Sequence, residues 1–383
     1  MLFALAQHDL KRLLAYHSVE NIGIICLGLG LGVLGLSRGN PVLAALGFGG
    51  GLLHVFNHAM FKGLLFLGAG SVLHAAGTRD LEHLGGLLKR MPWTGAAFLV
   101  GAAAITGLPP LNGFVSEFLI FLGAFHGLAG LGGGTAVFAP ALLVVAALAL
   151  IGGLAAACFA KAFGIVFLGE PRGEAAARAK EAGLAMRIPM AVLAAGCAAV
   201  GLLPFLAVRG LRPAAEAAAG LPAGSFETAF GAAEAPLTTA AIVAGVFLAL
   251  AGGLAILRRR RLPPRKVEEA LTWDCGYARP TARMQYTASS FAKPLTTFFR
   301  LVLRTRRTLV PPRGLFPREA SLHTETGDVC RETAFEPLFA AVEAWSVRLR
   351  VLQQGRIQVY VLYIVATLVI LLAWEAGVGA WIG

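Results

Sequence analysis

Charge is scarce in this chain, and so is cysteine. Only 14% of the 383 residues are Asp, Glu, Lys or Arg, while 57% are hydrophobic and mean hydropathy is +0.72. Soluble domains carry about 25% charged residues, so a soluble globular fold is excluded and an integral membrane protein is expected. The five cysteines, Cys26, Cys158, Cys197, Cys275 and Cys330, include no CxxC pair, which argues against an iron–sulfur cluster or structural zinc site. A Walker loop, a dinucleotide fingerprint and a haem attachment motif are also missing. Met1 leads within a few residues to the polar stretch QHDLKR, so no cleavable signal peptide is expected. No cofactor is expected on the chain, and any redox chemistry or nucleotide hydrolysis belongs to partners.

What the sequence does have is long apolar runs, at about 19–37, 44–76, 93–127, 137–168, 188–208, 237–257 and 357–379. About 20 apolar residues in a helix cross a hydrocarbon core of about 30 Å, so these runs predict seven passes. The expected fold is all-α, a polytopic membrane helix bundle with one discontinuous helix and a cytoplasmic amphipathic segment. The second run is too long for one perpendicular crossing and predicts either a tilted helix or two helices tightly joined. GLPPLNG, Gly107 to Gly113, interrupts the third, because two prolines remove backbone donors and restrict their neighbours.

Basic residues set the orientation, since cytoplasmic loops collect Lys and Arg. Alternate connections hold Lys11 and Arg12; Arg79, Lys89 and Arg90; Arg172, Arg178, Lys180 and Arg187; and Arg258 to Arg261 with Arg265 and Lys266. The opposite connections hold Arg38, no charge at 128–136, and Arg209 and Arg212 offset by Glu216, Glu227 and Glu234. The N-terminus and residues 258–356 are therefore expected in the cytoplasm and the C-terminus outside. Topology and an anionic lipid bilayer explain the net charge of +12, and no nucleic-acid motif accompanies it.

Against this background HVFNHAMFK, residues 54–62, stands out. His54, His58 and Lys62 are spaced i, i+4, i+8, which on a helix makes a ladder about 12 Å long on one face. An ionisable group deep in a bilayer costs at least about 2.5–3.5 kcal/mol on insertion scales, so such groups mark proton or ion paths. Histidine titrates near neutral pH, and a desolvated lysine gives up its proton more readily. A lone membrane histidine is also a common interhelical hydrogen bonder, and a lysine near a helix end commonly snorkels. A second constellation is GLPPLNGFVSEF, which puts Glu117 four residues after Gly113, beside a helix break where water and free backbone groups are near. The plainer alternative is a proline hinge whose Glu favours a helix start. Lys161, near the inner end of the fourth run, fits relay and snorkelling equally. Glu20, next to Asn21, reads as an entrance group or, more simply, an interfacial carboxylate.

The runs HDLKRLLAYHSVENIGI, HVFNHAMFKGLLFLGAGSVLH and GLPPLNGFVSEFLIF, within residues 1–208, resemble the second half of antiporter-like proton-channel subunits. Respiratory complex I, Mrp sodium/proton antiporters and membrane-bound hydrogenases share such subunits. The resemblance implies that Lys62 belongs to a central proton relay, with His54 and His58 as relay or water-organising groups and Glu117 gating exchange with the outer side. It also implies several further helices in front of residue 1, so a chain truncated at its N-terminus or a separately encoded first half is expected.

TWDCGYARPTARMQYTASSFAKPL, Thr272 to Leu295, and FEPLFAAVEAWSVRLRVLQQGRIQVYVLY, Phe335 to Tyr363, resemble the tail of hydrogenase 4 component B and formate hydrogenlyase subunit 3. Prolines 263, 264, 311, 312 and 317 suit a basic cytoplasmic excursion, and 334–352 predicts an amphipathic helix. Four segments are expected: 1–208, the channel half; 209–257, one more membrane helix with an outer loop; 258–356, cytoplasmic; and 357–383, a last membrane helix. The resemblance implies a proton-translocating membrane subunit in the bacterial inner membrane. Its partners would be other membrane subunits and peripheral nickel–iron hydrogenase and iron–sulfur subunits. A sodium/proton antiporter component and a non-conducting scaffold are the competing expectations.

Overall fold

A computed structural model describes residues 1–129, 135–220, 224–261, 281–282, 284–314, 320–350, 355–375 and 377. The TWDCGY motif with Cys275, prolines 263, 264 and 317, and the end of the expected 334–352 helix lie outside the described residues. Packing divides the chain into two units, Met1–Thr326 and Gly327–Gly383. The protein is a multi-pass, predominantly helical membrane protein with seven helices long and apolar enough to span among the described residues.

In the first unit, α1 (Leu2–Leu5) leads into α2 (Leu10–Ser37) and α3 (Pro41–Ala76). Asp9 caps α2 by accepting the Arg12 N–H, and Asn40 caps α3 by accepting that of Leu43 ahead of Pro41, the starts their sequences signal. α2 begins nine residues before the apolar run at 19, because the amphipathic turns LKRLLAYHS join the same helix. The second run resolves as one helix. Its 36 residues reach about 54 Å, well beyond the hydrocarbon core, so it tilts or emerges. Glycines let α2 and α3 approach closely: a methyl group on Gly47 would stand 2.3 Å from the Gly32 nitrogen, and one on Gly35 2.3 Å from that of Ala44.

The third run divides into α4 (Pro92–Ile105) and α5 (Asn112–Ala129). Both halves run antiparallel along α3. Phe98 and Gly101 meet α3 at Gly68 and Leu65, and Ile120 and Gly123 meet it at Gly50 and Leu46. Between them Gly107 has φ +65°, a left-handed conformation suited to glycine. The break is buried against α3, where Asn57 Nδ2 donates to Asn112 O (2.7 Å), and against Gly201 of α8, whose added Cβ would meet Pro110 O at 1.8 Å. Irregular backbone at membrane depth requires such protein cover.

α6 (Thr135–Phe167), α7 (Glu174–Arg178), α8 (Leu184–Leu202), α9 (Pro204–Ala219) and α10 (Ser225–Arg261) follow. α10 starts twelve residues before the apolar run at 237, and its first turns bury Phe226 and Phe230 against α9. After it come α11 (Ala288–Phe298), α12 (Arg300–Leu303) and an antiparallel hairpin of β1 (Arg306–Val310) and β2 (Ser321–Glu325), which the sequence did not suggest. Arg306 pairs with Glu325 and Val310 with Ser321.

Residues 6–9, 77–91, 168–183, 284–314 and 320–326 meet on one side of the bundle. Asp9 pairs with Arg79, Lys89 with Glu170 (3.1 Å), and Arg172 donates to Leu84 O (2.9 Å) and Tyr286 O (2.7 Å). That is the common side the basic-residue pattern requires. Here Glu82 accepts from the Ser289 N–H (3.3 Å) and lies 3.4 Å from His8. Burial pushes its carboxyl up, but the His8 hydrogen bond, the Ser289 N–H and the charges of His8 and Arg172 outweigh it and hold it below the usual range.

The second unit holds α13 (Glu336–Leu349), at the expected amphipathic helix, and α14 (Ile357–Glu375), at the last apolar run. No residue of either helix is buried within the unit.

Candidate functional site

The site forms where α2, α3 and α5 cross. Each helix places polar side chains into an otherwise apolar interior, and helical spacing decides which. On α2, His17, Glu20 and Asn21 fall at i, i+3, i+4 and share one buried face. On α3, His54 and Asn57 fall at i, i+3 and are fully buried, with Lys62 6% exposed two turns further on. On α5, Asn112 and Ser116 fall at i, i+4 just after the break and are fully buried.

Hydrogen bonds join these residues across all three helices. His17 Nδ1 and Glu20 Oε2 are 2.5 Å apart with both side chains buried, and Asn21 Nδ2 donates to His17 O (2.8 Å). That bond turns Asn21 Oδ1 towards His54 Nε2 at 3.1 Å, so Nε2 carries a proton and donates. His54 Nδ1 lies 2.9 Å from Ser116 Oγ, which also receives Asn57 Nδ2 (3.0 Å) and can donate to Gly113 O (3.0 Å).

Ser116 has a single proton and two acceptors for it. With neutral His54, the hydroxyl donates to Nδ1. With charged His54, Nδ1–H donates to Ser116 Oγ and the hydroxyl turns to Gly113 O. Both charge states of His54 are thus hydrogen-bonded in one geometry, which lets a proton arrive and leave without repacking.

Lys62 does not snorkel. Its Nζ donates to Leu14 O of α2 (2.6 Å) and lies 5.9 Å from the Phe66 ring. Glu20 interacts electrostatically with His58, Lys62 and Glu117 as well as with His17, so this buried acid is central to the cluster. Glu20 lies nearly three turns into α2 and is buried within the bundle. Among the described residues His17 Nε2, Asn57 Oδ1 and His58 Nε2 are buried without a protein partner, a state that in a native fold calls for water or a functional role.

The structure brings Lys62, His54 and Glu20 into one cluster with half-buried His58, whose ring meets Phe61 edge-on at 5.8 Å, as the His54 ring does at 6.0 Å. No hydrogen bond joins His54, His58 and Lys62 directly among the described residues. Glu117 lies one position beyond Ser116, and its carboxyl lies against Gly107 in the break, where an added Cβ would be 2.8 Å from Oε2. Lys161 sits apart from the hydrogen-bonded network. It is 1% exposed and donates to Leu5 O (2.6 Å) and Gln7 O (2.7 Å), so it holds the end of α1 against α6 and does not snorkel. His17, Asn57, Asn112 and Ser116 escaped sequence reasoning. Their signal was polar residues at i, i+3 or i+4 within apolar runs, and Asn57 lies inside HVFNHAMFK itself. Among the described residues no group of His, Cys, Asp and Glu could hold a metal ion.

Residues 1–142 match the family described as NADH:quinone oxidoreductase/Mrp antiporter, TM. The chain is 38% identical over 391 residues to hydrogenase-4 component B of Escherichia coli (strain K12), covering 97% of this chain and 56% of the relative. It is 43% identical over 310 residues to formate hydrogenlyase subunit 3 of the same organism, covering 81% and 49%. The chain thus spans about half the length of these relatives. In fold it is similar to a chain of the membrane-bound sulfane sulfur reductase, an archaeal respiratory membrane complex. The TM-score is 0.59 at 23% identity, covering 97% of this chain and 53% of that one.

Proposed function

We propose, from the match of residues 1–142 to the NADH:quinone oxidoreductase/Mrp antiporter membrane family and the likeness to the two Escherichia coli relatives, that this chain is a proton-translocating membrane subunit of a hydrogenase or formate hydrogenlyase complex. The supporting observation is the buried polar network across α2, α3 and α5, which ends at a broken helix carrying Glu117. In this reading Lys62 and Glu20 form the ionisable centre of the relay. His17, His58 and His54 exchange protons with it, Ser116 hands them on beside the break, and Glu117 exchanges them with the far side. Lys161 fixes the inner end of the bundle.

The coupled electron transfer takes place in partners. These are other membrane subunits and peripheral nickel–iron hydrogenase and iron–sulfur subunits, and the complex resides in the bacterial inner membrane. The test is proton uptake into inverted membrane vesicles during hydrogenase turnover, comparing the parent with Lys62→Ala and Glu117→Ala at matched assembly. Loss of uptake in both variants is expected. Unchanged uptake in both, or none in the parent, would leave the chain a scaffold. Co-purification without nickel–iron subunits would favour a sodium/proton antiporter component.

A further inference from the structure

On the side of the first unit where the basic connections gather, α11, α12 and the β1–β2 hairpin enclose a cavity of about 650 Å³. Lys293, Arg300, Arg304 and Arg307 line it together with His8, and among the described residues none of its lining is acidic. None of these four cations has an ion-pair partner among the described residues. A second cavity, of about 430 Å³ between α9 and α10, makes the contrast. There Arg209 pairs with Glu234 (3.3 Å), and Arg212 with Glu216 (2.7 Å) and Glu227 (2.6 Å), so its charge is already answered.

Hydroxyls complete the lining of the larger cavity. Thr287, Ser290, Thr296 and Thr297 come from α11 and its cap, and Thr305 from the start of the hairpin. Arg304 closes α12 at φ +46°, a left-handed position that glycine fills at lower cost. The protons of Thr287, Ser290 and Thr296 are already donated within α11 and its cap, and Thr305 bonds Thr326, so the four unanswered cations are what fit a phosphate oxyanion.

The rim adds an apolar demand. Phe298 is 78% exposed and Leu301 85% exposed, next to the cationic wall on the same two helices. α11 turns Ala288 and Ala292 into the core while Phe291 and Phe298 face outward. A soluble anion would use the cations and leave these side chains in water. An anionic amphiphile satisfies both.

We propose that the cavity between α11, α12 and the β1–β2 hairpin binds the phosphate of an anionic phospholipid headgroup, whose acyl chains lie along Phe298 and Leu301. The site would seat this face of the protein on the membrane surface, where clustered basic residues attract anionic lipid.

The test uses the full chain, purified in a non-ionic detergent and stripped of lipid. Short-chain phosphatidylglycerol, short-chain phosphatidylcholine and inorganic phosphate are titrated separately by calorimetry. Saturable binding of one phosphatidylglycerol is expected, with phosphatidylcholine failing to saturate and phosphate binding more weakly than the lipid. Each cation removed should weaken binding about fivefold. The triple variant Arg300→Gln, Arg304→Gln, Arg307→Gln should therefore lose roughly a hundredfold. The triple variant Arg258→Gln, Arg259→Gln, Arg260→Gln, at the end of α10, should keep parental affinity. Should the first triple variant not fold, Lys293→Gln alone, exposed on α11, reads the fivefold step. Parental affinity in the cavity variants, or equal loss in the α10 control, would overturn the site. Phosphate binding as tightly as phosphatidylglycerol would overturn the lipid and leave a soluble anion.

Discussion

Replacing Lys62 by methionine separates conduction from folding more sharply than replacement by alanine. Methionine keeps an unbranched stem of similar length, so the cavity that alanine would leave is avoided. Two changes in stability oppose each other. Removing the ammonium relieves the insertion cost of a mid-membrane charge, about 2.5–3.5 kcal/mol. It also removes the bond from Nζ to Leu14 O at 2.6 Å, and a hydrogen bond to a charged group contributes about 1.5–3 kcal/mol. Leu14 O is not orphaned, because it lies within α2 and Ser18 Oγ also approaches it at 3.4 Å. The two changes nearly cancel, so Lys62→Met should assemble and melt like the parent. Proton flux, which needs a group that binds and releases protons, should fall by about a hundredfold or more. The assay is quenching of a pH-sensitive dye in inverted vesicles, alongside thermal unfolding of the purified chain. Parental flux in a folded variant would refute the relay, and a collapse in stability would refute the arithmetic.

Two further outcomes follow from the structure. Gly113→Ala would set a methyl group 2.0 Å from Ala104 O, a backbone oxygen that cannot step aside, whereas Gly70→Ala meets nothing within 4 Å. The first should destabilise by about 1–3 kcal/mol in thermal unfolding and the second should not; equal behaviour would show that the break can relax. Glu82 has a depressed carboxyl, so its contribution is present above its unfolded value, about pH 4.3, and is lost as pH falls through the lower folded value. Hydrogen exchange of the α11 amides should rise only below about pH 4.3, and in Glu82→Gln that acid step should disappear.

Much of this molecule can be read one residue at a time. Mean composition placed it in a bilayer, run length counted the spans, and two prolines with two glycines located the break, because each depends on local chain physics and solvent alone. Boundaries were less legible where polar turns continue a helix, so α2 and α10 start well before their apolar runs. The hairpin at Arg306–Val310 and Ser321–Glu325 was invisible, since its strands are exposed and lack an alternating apolar face.

The site divides along the same line. Sequence by itself determined that His54, His58 and Lys62 ride one helix and that Glu117 follows a break, because helical spacing and the cost of burying charge are properties of one segment. Tertiary structure alone decided that Glu20 is buried, that Lys161 holds α1, and that Asn21, His54 and Ser116 meet. Those facts depend on how separate helices approach one another, and for the network on how closely α2, α3 and α5 do. The glycines of α2 and α3 and the irregular backbone at 106–111 set that approach, and neither records in sequence which side chain it will bring opposite another.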